Sequence, residues 1–518
     1  MLSSYAGSSR TKCCFSVSSR FHIAVLDCVR SLASRAIVFR TPFVSPPSPY
    51  RNTWDQSGFA TRYPAASCHG NNLNWEDILG TAVIQSLERY FDFRRLNTNW
   101  KTEILAGLTT FITMAYIVFV NPSILKDAGM PLPAVFAATC ISAALGTLLM
   151  GTFARYPIAL APGMGLNAYF TYSVVKGMGV PWETALGAVF LSGVVFLVLT
   201  VLGIRQWIVA AIPPDLYTAL SAGIGLFIAF IGLRNANLVK ANAATLVSVG
   251  NLRDPNTALA LFGILLIALL QAWKVRAAIL VGILATTGVG AIAGLVHWEP
   301  QTFRWSDISA TFLHLNVRGA MGFGLLEIVF VFLFVDMFDN IGTLVAVSRK
   351  AQLLDDKNRI PRVNRILLSD ATATVAGSLA GTTTVVSYVE SAAGVAAGGR
   401  TGVTSIVTGL MFIVALFVAP LFGAVPSAAT APALVVVGSL MLSSIAEIAW
   451  DDECKAFPAF LTLITIPLTF SIANGLAFGL TSYVLLHLMR GRGREVPLAA
   501  YPLALLLMIR FVYMGSRL

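Results

Sequence analysis

Charge is scarce in this chain: Asp, Glu, Lys and Arg make up only 12% of its 518 residues, against roughly a quarter in an ordinary globular protein. So few charges cannot cover the surface of a water-soluble protein of this size, and soluble-enzyme classes are excluded. Cysteine is sparse too. Of six, four precede residue 70, while Cys140 and Cys454 fall in or near apolar stretches. No CxxC…CxxC spacing occurs, so neither a metal site nor a disulfide framework is indicated, and no cofactor is expected. Alternation with period two is also missing from the apolar runs, which excludes a membrane β-barrel.

What is present is apolar. Hydrophobic residues make up 56% of the chain. From about residue 102 most of them come in blocks that reach the ~20 residues needed to cross a hydrocarbon core as helix. The membrane is therefore the solvent, and the fold class is an all-α polytopic membrane protein. The net charge of +11 does not signal nucleic acid: about half of it comes from the first 75 residues, and much of the rest sits in short loops.

Residues 1–85 form an Arg/Ser-rich N-terminal extension, with Arg10, Arg20, Arg30, Arg35, Arg40, Arg51 and Arg62 but only Asp27 and Asp55 as acids up to His69. Two readings stand: an organelle transit peptide, which has this composition, or sequence upstream of a true start near LERYFDF (87–93). The first places the protein in an organelle envelope and the second in the plasma membrane.

About fourteen spans are expected, at 102–121, 131–152, 159–177, 182–203, 215–233, 257–273, 277–296, 322–347, 363–380, 384–398, 402–422, 429–448, 456–470 and 472–489. The stretch 491–518 reads as a C-terminal peripheral segment whose apolar part, 497–514, is shorter and carries Pro497 and Pro502. Charge supports the count. Loops after even spans hold Arg155, Arg205, Lys274, Arg276, the cluster from Arg349 to Arg365, Arg400, Lys455 and Arg490 to Arg494. Loops after odd spans are sparser in Lys and Arg, which puts both termini in the cytosol.

Seven spans per half invert the second half relative to the first. Residues 86–296 make the first repeat, 297–321 a connecting loop and 322–490 the second repeat. AYIVFVNPSIL (115–125) returns roughly 220 residues later as FVDMFDNIGTL (334–344). In each half the third span is interrupted. YPIALAPGMGLNAYFTY (156–172) carries Pro157, Pro162, Gly163 and Gly165, and GTTTVVSYVESAAGVAAGG (381–399) opens with residues that favour extended backbone. Unwound backbone survives in a membrane only where it is enclosed by protein or lines a cavity. Paired interruptions point to a transporter's binding site; the plainer reading is a set of kinks and small-residue packing seams.

Acids within spans are few. Asp336 and Asp339 stand at i and i+3 in span eight and share a helix face. Glu390 stands beside the break in span ten, Glu327 nearer the outer end of span eight, and Glu103 and Glu447 near helix ends, where they read as interfacial. An intramembrane carboxylate is costly and functional by default. With no Lys or Arg at similar depth, these acids suit proton binding and release. The alternative for Asp336 and Asp339 is a structural bond to backbone or to each other; for Asn167 it is helix–helix adhesion. Together the groups suit a neutral, planar, hydrogen-bonding ligand such as a purine.

APGMGLNAYFTY, FVDMFDNIGTL, SYVESAAG…GGRTG and AGLTTFITMAYIVFVNPSIL resemble the AzgA-like adenine/guanine/hypoxanthine permeases. These belong to the nucleobase–cation symporter-2 (nucleobase–ascorbate transporter, xanthine/uracil permease) superfamily. The resemblance covers about residues 87–510. It implies fourteen spans, with spans 1–4 and 8–11 as a core domain and 5–7 and 12–14 as a gate domain, and proton-coupled uptake of a purine nucleobase. It further implies substrate contact by Asp336, Glu390 and Asn167, a proton-coupling role for Asp339 and Glu390, and clearance for the ligand at Gly165. A homodimer is implied by the resemblance alone. Asn340 departs from the Thr of many relatives, which bears on fine substrate preference.

Competing classes are weaker. A xanthine or uracil permease of the same superfamily differs only in substrate. An anion exchanger of similar architecture needs a positive site, and this one is acidic. An intramembrane aspartyl protease needs facing aspartates and a GxGD sequence, which is absent. A channel needs a ring of charges that one Glu and two Asp do not make.

Overall fold

The computed structural model describes residues 84–203, 213–296, 305–322, 326–354, 360–417 and 425–514. The N-terminal extension up to residue 83, and with it either reading of its role, lies outside the described residues, as do 297–304 of the connecting loop.

The described chain is almost wholly helical. In order it runs α1 (Trp100–Met114), α2 (Ile117–Lys126), α3 (Leu132–Leu149), β1 (Leu160–Pro162), α4 (Met164–Ala168), α5 (Trp182–Val201), α6 (Pro214–Asn235), β2 (Val239–Asn242), β3 (Leu246–Val249), α7 (Pro255–Ala272) and α8 (Ala278–Ile292). It continues with α9 (Leu326–Lys350), α10 (Val363–Ala380), β4 (Val385–Ser387), α11 (Ser391–Ala396), α12 (Gly402–Ala415), α13 (Ser427–Leu442), α14 (Glu453–Thr469), α15 (Ile472–Met489) and α16 (Ala500–Met514). Each of the expected apolar stretches contains helix. Among the described residues, eight segments are long and apolar enough to cross a bilayer: Trp100–Lys126, Leu132–Ala154, Trp182–Val201, Asp215–Asn235, Pro255–Ala272, Glu327–Lys350, Ser427–Glu447 and Ile472–Met489.

The helix starts follow from local sequence. Pro131, Pro181, Pro213 and Pro426 occupy the position before the first helical residue, where a missing N–H and a fixed φ cost nothing. Elsewhere a short polar side chain takes an orphan N–H. Asn99 accepts from Thr102, Asp254 from Thr257, Thr401 from Val403, Asp452 from Cys454 and Ser471 from Asn474. Exposure sorts the helices. Only 28% of α7 is buried, so it lies on the outside of the bundle, whereas α6 is 72% buried and central. There α6 and α13 cross with almost no side chain between them, since a Cβ on Gly225 would lie 2.8 Å from the Gly438 carbonyl oxygen.

β1 and β4, in the two segments expected to be interrupted, pair antiparallel with Leu160 opposite Ser387 and Pro162 opposite Val385. The second pair of strands, β2 and β3, is an exposed hairpin between α6 and α7. Aromatic packing locks the centre: the Tyr169 and Phe332 rings meet edge to face at 5.3 Å. The last helix, α16, packs on α15 through buried Ala500, Ala504 and Leu507. Ahead of it Arg492 bridges Glu495, at 2.7 Å, and Asp452, at 3.0 Å. That hydrogen bond holds the Glu495 carboxyl below its ordinary range.

Glu103 is more enclosed than the sequence suggests. Placed near a helix end as expected, it is fully buried within the protein. Its carboxylate accepts from Thr98 Oγ1 at 2.8 Å, Arg400 N at 3.0 Å, Thr401 N at 3.3 Å and Thr404 Oγ1 at 2.6 Å. A side chain from the first span thus satisfies the opening turn of α12, more than 290 residues away. Each buried N–H left unpaired costs about 1–3 kcal/mol. Glu103→Ala is therefore expected to lower the melting temperature of detergent-solubilised protein sharply, with Glu103→Gln intermediate. Thermal unfolding of the three proteins checks this, and equal melting temperatures would contradict it.

Candidate functional site

The site begins as a backbone problem. Pro162 and Gly163 break one apolar segment and Thr382 to Thr384 another, leaving extended chain in the middle of a helical bundle, where every N–H and C=O needs a partner. The strand pair supplies some. Gly163 N donates to Thr384 O and Tyr388 N to Ala159 O, both at 2.9 Å. Two threonines supply more. Thr147 on α3 donates its hydroxyl to Leu160 O at 2.8 Å and accepts from Leu160 N at 2.9 Å. Thr374 on α10 does the same for Val385 O, at 3.0 Å, and Val385 N, at 3.3 Å. Ala159 N is taken by Ser391 Oγ at 3.0 Å and Ser387 N by Asn340 Oδ1 at 2.7 Å.

Where the strands end, a cavity of about 300 Å³ opens, the low end of the range for small-molecule sites. One side is lined by Tyr116, Met164, Gly165, Asp339, Thr343 and residues Val386 to Glu390. Facing them are Tyr217, Thr218 and Ser221 of α6, Val437, Leu440 and Met441 of α13, and Glu447. Among the described residues the lining contains three carboxylates and no Lys or Arg. The Tyr116 hydroxyl donates to Glu390 Oε1 at 2.7 Å. Tyr217 crosses the cavity's edge onto α9, where a Cβ at Gly342 would collide with its hydroxyl.

The residues singled out from sequence divide into two groups. Glu390, Asp339 and Gly165 stand on the wall. A Cβ on Gly165 would come within 2.5 Å of Ile224 Cγ2, so the close approach of α6 requires glycine there. Asp336 and Asn167 are set behind the wall, 1% and 0% exposed. Asp336 Oδ1 accepts from Asn340 Nδ2 at 2.7 Å. Asn167 donates to Asn121 Oδ1 at 2.5 Å and accepts from the Thr383 hydroxyl, joining α2, α4 and the strand leading into β4. Spacing of i and i+3 sets Asp336 and Asp339 on adjoining strips of α9, and the structure brings only Asp339 to the cavity. Glu327 lies instead in an apolar crevice of about 310 Å³ with Phe330, Phe334 and Leu476.

Sequence reasoning missed four participants. Tyr116 and Asn121 lie inside the quoted motif 115–125, yet as neutral residues they drew no attention. Tyr217 gives no local signal, because its role depends on α6 lying against α9. Asp370 was legible: it is an acid inside an expected span, fully buried, and its Oδ2 accepts from Asn340 Nδ2 at 2.6 Å.

Comparison with known proteins agrees with this architecture. Residues 101–478 match the family described as the Permease family. The chain is 52% identical over 435 residues to a putative permease of Methanocaldococcus jannaschii, covering 84% of this chain and 100% of that one. It is 43% identical to the adenine permease AdeP of Escherichia coli, covering 83% and 97%. With the guanine/hypoxanthine permease PbuG of Bacillus subtilis it shares 44% identity, covering 83% and 100%. Among solved structures, the transmembrane domain of a cyanobacterium bicarbonate transporter, BicA, matches with a TM-score of 0.57 at 13% identity over 74% of this chain and 97% of that one. The murine solute carrier 26 family member A9 anion transporter matches with 0.56 at 12%, covering 85% and 77%. At such identities the likeness is of fold alone.

The two-layer arrangement is directly testable. In a background with the six native cysteines replaced by serine, Thr343→Cys and Ser221→Cys are expected to react with a water-soluble thiol reagent, and Asn167→Cys is not. Labelling of all three at equal rates would place Asn167 on the cavity wall.

Proposed function

The chain belongs to the permease family, a membrane transporter and not an enzyme, and from that premise we propose that it imports purine nucleobases by proton symport with alternating access. Hypoxanthine, adenine and guanine are the substrates, in keeping with relatives named as adenine and guanine/hypoxanthine permeases. The observation that carries the reading is the cavity where the two interrupted spans meet. It presents carboxylates and hydroxyls to a ligand, and among the described residues its lining includes no basic side chain. Such a lining suits a neutral ring that offers N–H donors; it opposes an anion, whatever the fold likeness to anion transporters.

In this mechanism Glu390 and Asp339 accept hydrogen bonds from the base. Gly165 leaves it room, and Asp336 and Asn167 hold the wall from behind. A proton on Glu390 or Asp339 accompanies the base and is released in the cytosol. The cavity is lined by the part of α9 that leads toward Arg349 and Lys350, the basic end assigned to the cytosol by the positive-inside bias. Alternating access then requires α6 and α13, which carry Tyr217 and Glu447's approach, to move against the elements that carry β1, β4 and α9.

Fourteen spans in a 7+7 inverted repeat fit this reading. Thr147 on Leu160 and Thr374 on Val385 make the same pair of bonds in the two halves. Asn121 and Asn340, at matching places in the two repeated motifs, both bond the interrupted spans. Both termini are assigned to the cytosol, the protein to the plasma membrane as a homodimer.

The test is uptake of radiolabelled hypoxanthine and uracil by cells lacking their own nucleobase permeases. Hypoxanthine uptake is expected to fall as external pH rises, with uracil ignored; pH-independent uptake would remove proton coupling. A hydrogen bond to a charged acceptor contributes about 1.5–3 kcal/mol, on the order of tenfold to hundredfold in affinity. Glu390→Gln and Asp339→Asn are each expected to lose at least that much uptake at unchanged surface level. Wild-type transport by Glu390→Gln would sink the assignment.

A further inference from the structure

Several elements that line the cavity meet again further along, in a seam of polar contacts. On α6 the cavity takes Tyr217 and Ser221, while Asn235 ends the helix about 27 Å beyond Tyr217 at 1.5 Å per residue. On α13 the cavity takes Val437, Leu440 and Met441, and the seam takes Thr430 from the first turn. Tyr116 and Gly165 line the cavity, whereas Ser123 and Tyr172, about two turns on, reach the seam. There the Tyr172 hydroxyl donates to Asp127 Oδ2 at 2.7 Å and accepts from Asn235 Nδ2 at 2.9 Å. Ser173 Oγ donates to Phe470 O, and the Ser123 and Thr430 hydroxyls share a hydrogen bond of 3.3 Å. Tyr172, Ser173 and Thr430 are at most 5% exposed.

We propose that this seam is an outer latch centred on Tyr172, which closes the site to the outside and parts to admit substrate. The proposal rests on the transport reading above and adds to it how the side away from the cytosol is shut. The cavity extends along α9 toward Arg349 and Lys350, the end assigned to the cytosol, and the seam joins the opposite ends of α6 and α13. Its chemistry suits a joint that opens and recloses. Side-chain hydroxyls and amides exchange a protein partner for water at small net cost, whereas an interdigitated apolar contact has no such substitute. Asp127 is exposed and, as a carboxylate, only accepts, so it takes the Tyr172 proton and leaves the phenolic oxygen to receive Asn235. A charged acceptor at the end of such a chain strengthens both bonds. Phe470 adds the backbone side of the latch. Its φ of 52° is uncommon for a bulky residue. Its carbonyl takes Ser173, while its ring stands edge-on to Phe227 and Phe230 of α6, each at 5.6 Å.

Thr430 reports on the seam, because a reagent outside reaches it only when the latch parts. In the background with all native cysteines replaced by serine, Thr430→Cys is expected to react slowly with a membrane-impermeant thiol reagent applied outside. Tyr172→Phe keeps the ring and severs two bonds; Asn235→Ala severs one. They are expected to speed that reaction about tenfold and about threefold, since each lost bond raises the share of molecules with the latch open. The same substitutions in a protein that retains only Cys140, fully buried in α3, are expected to leave its thiol unlabelled. Thr430→Cys rates unmoved by either substitution overturn the proposal, and so does reaction from the cytosolic face alone. Labelling of Cys140 assigns the effect to general loosening and overturns it as well. If Tyr172→Phe fails to reach the membrane, Asn235→Ala is read in the same way; absence of both assigns these residues to folding and overturns the latch. No hypoxanthine uptake by the wild-type chain removes the transport reading itself, an outcome distinct from wild-type uptake with unmoved labelling.

Discussion

Extended backbone inside a bilayer must find every hydrogen-bond partner within the protein, and the rest of this structure is organised around that requirement. Two apolar segments give up helix at Pro162–Gly163 and at Thr382–Thr384. Neither strand is longer than three residues, too short to stand alone. Each pairs with the other and borrows a threonine hydroxyl from a neighbouring helix, Thr147 for one and Thr374 for the other. A hydroxyl both donates and accepts, so one side chain satisfies the N–H and the C=O of one residue. Valine at either place would leave both groups unpaired. The arrangement stabilises an irregular segment and brings the starts of α4 and α11 to one cavity.

Carboxylates within this helical bundle do three different jobs, set by what surrounds each one. Glu103 accepts four hydrogen bonds and closes the start of α12. Asp336 and Asp370 both accept from the Asn340 amide and are sealed behind the wall. Asp339 and Glu390 line open space, where a ligand or a proton can reach them. Burial of a charged group is costly in each case. The first three are compensated by fixed protein donors, whereas the last two retain capacity to bind, which is what a transport site requires.

Much of the fold was legible because the membrane restricts the options. Blocks of apolar residues can only be helices or barrel strands, and Pro or Gly in a block marks a break. The expected breaks at spans three and ten coincide with β1 and β4 for that reason. The candidate site was less legible. Asp339, Glu390 and Gly165 line the cavity as their setting suggested. Asp336 and Asn167 share the same motifs yet face inward, because a few tens of degrees around a helix separate a wall position from a buried one. Glu103 looked interfacial from its place near a helix end; only the packing of α1 against α12 shows that it is enclosed.

Composition and order of residues by themselves determined that this is a helical membrane protein with two interrupted apolar segments and acids near the second. Those conclusions follow from hydrophobicity, backbone stereochemistry and the cost of charge in lipid, all of which are local. Which acids share a cavity, which amide bridges Asp336 to Asp370, and that Tyr217 lies against Gly342 depended on elements up to hundreds of residues apart in the chain. Only the tertiary structure decided them, because a hydrogen bond is set by distance and angle in space, and sequence spacing carries neither beyond a helical turn or two.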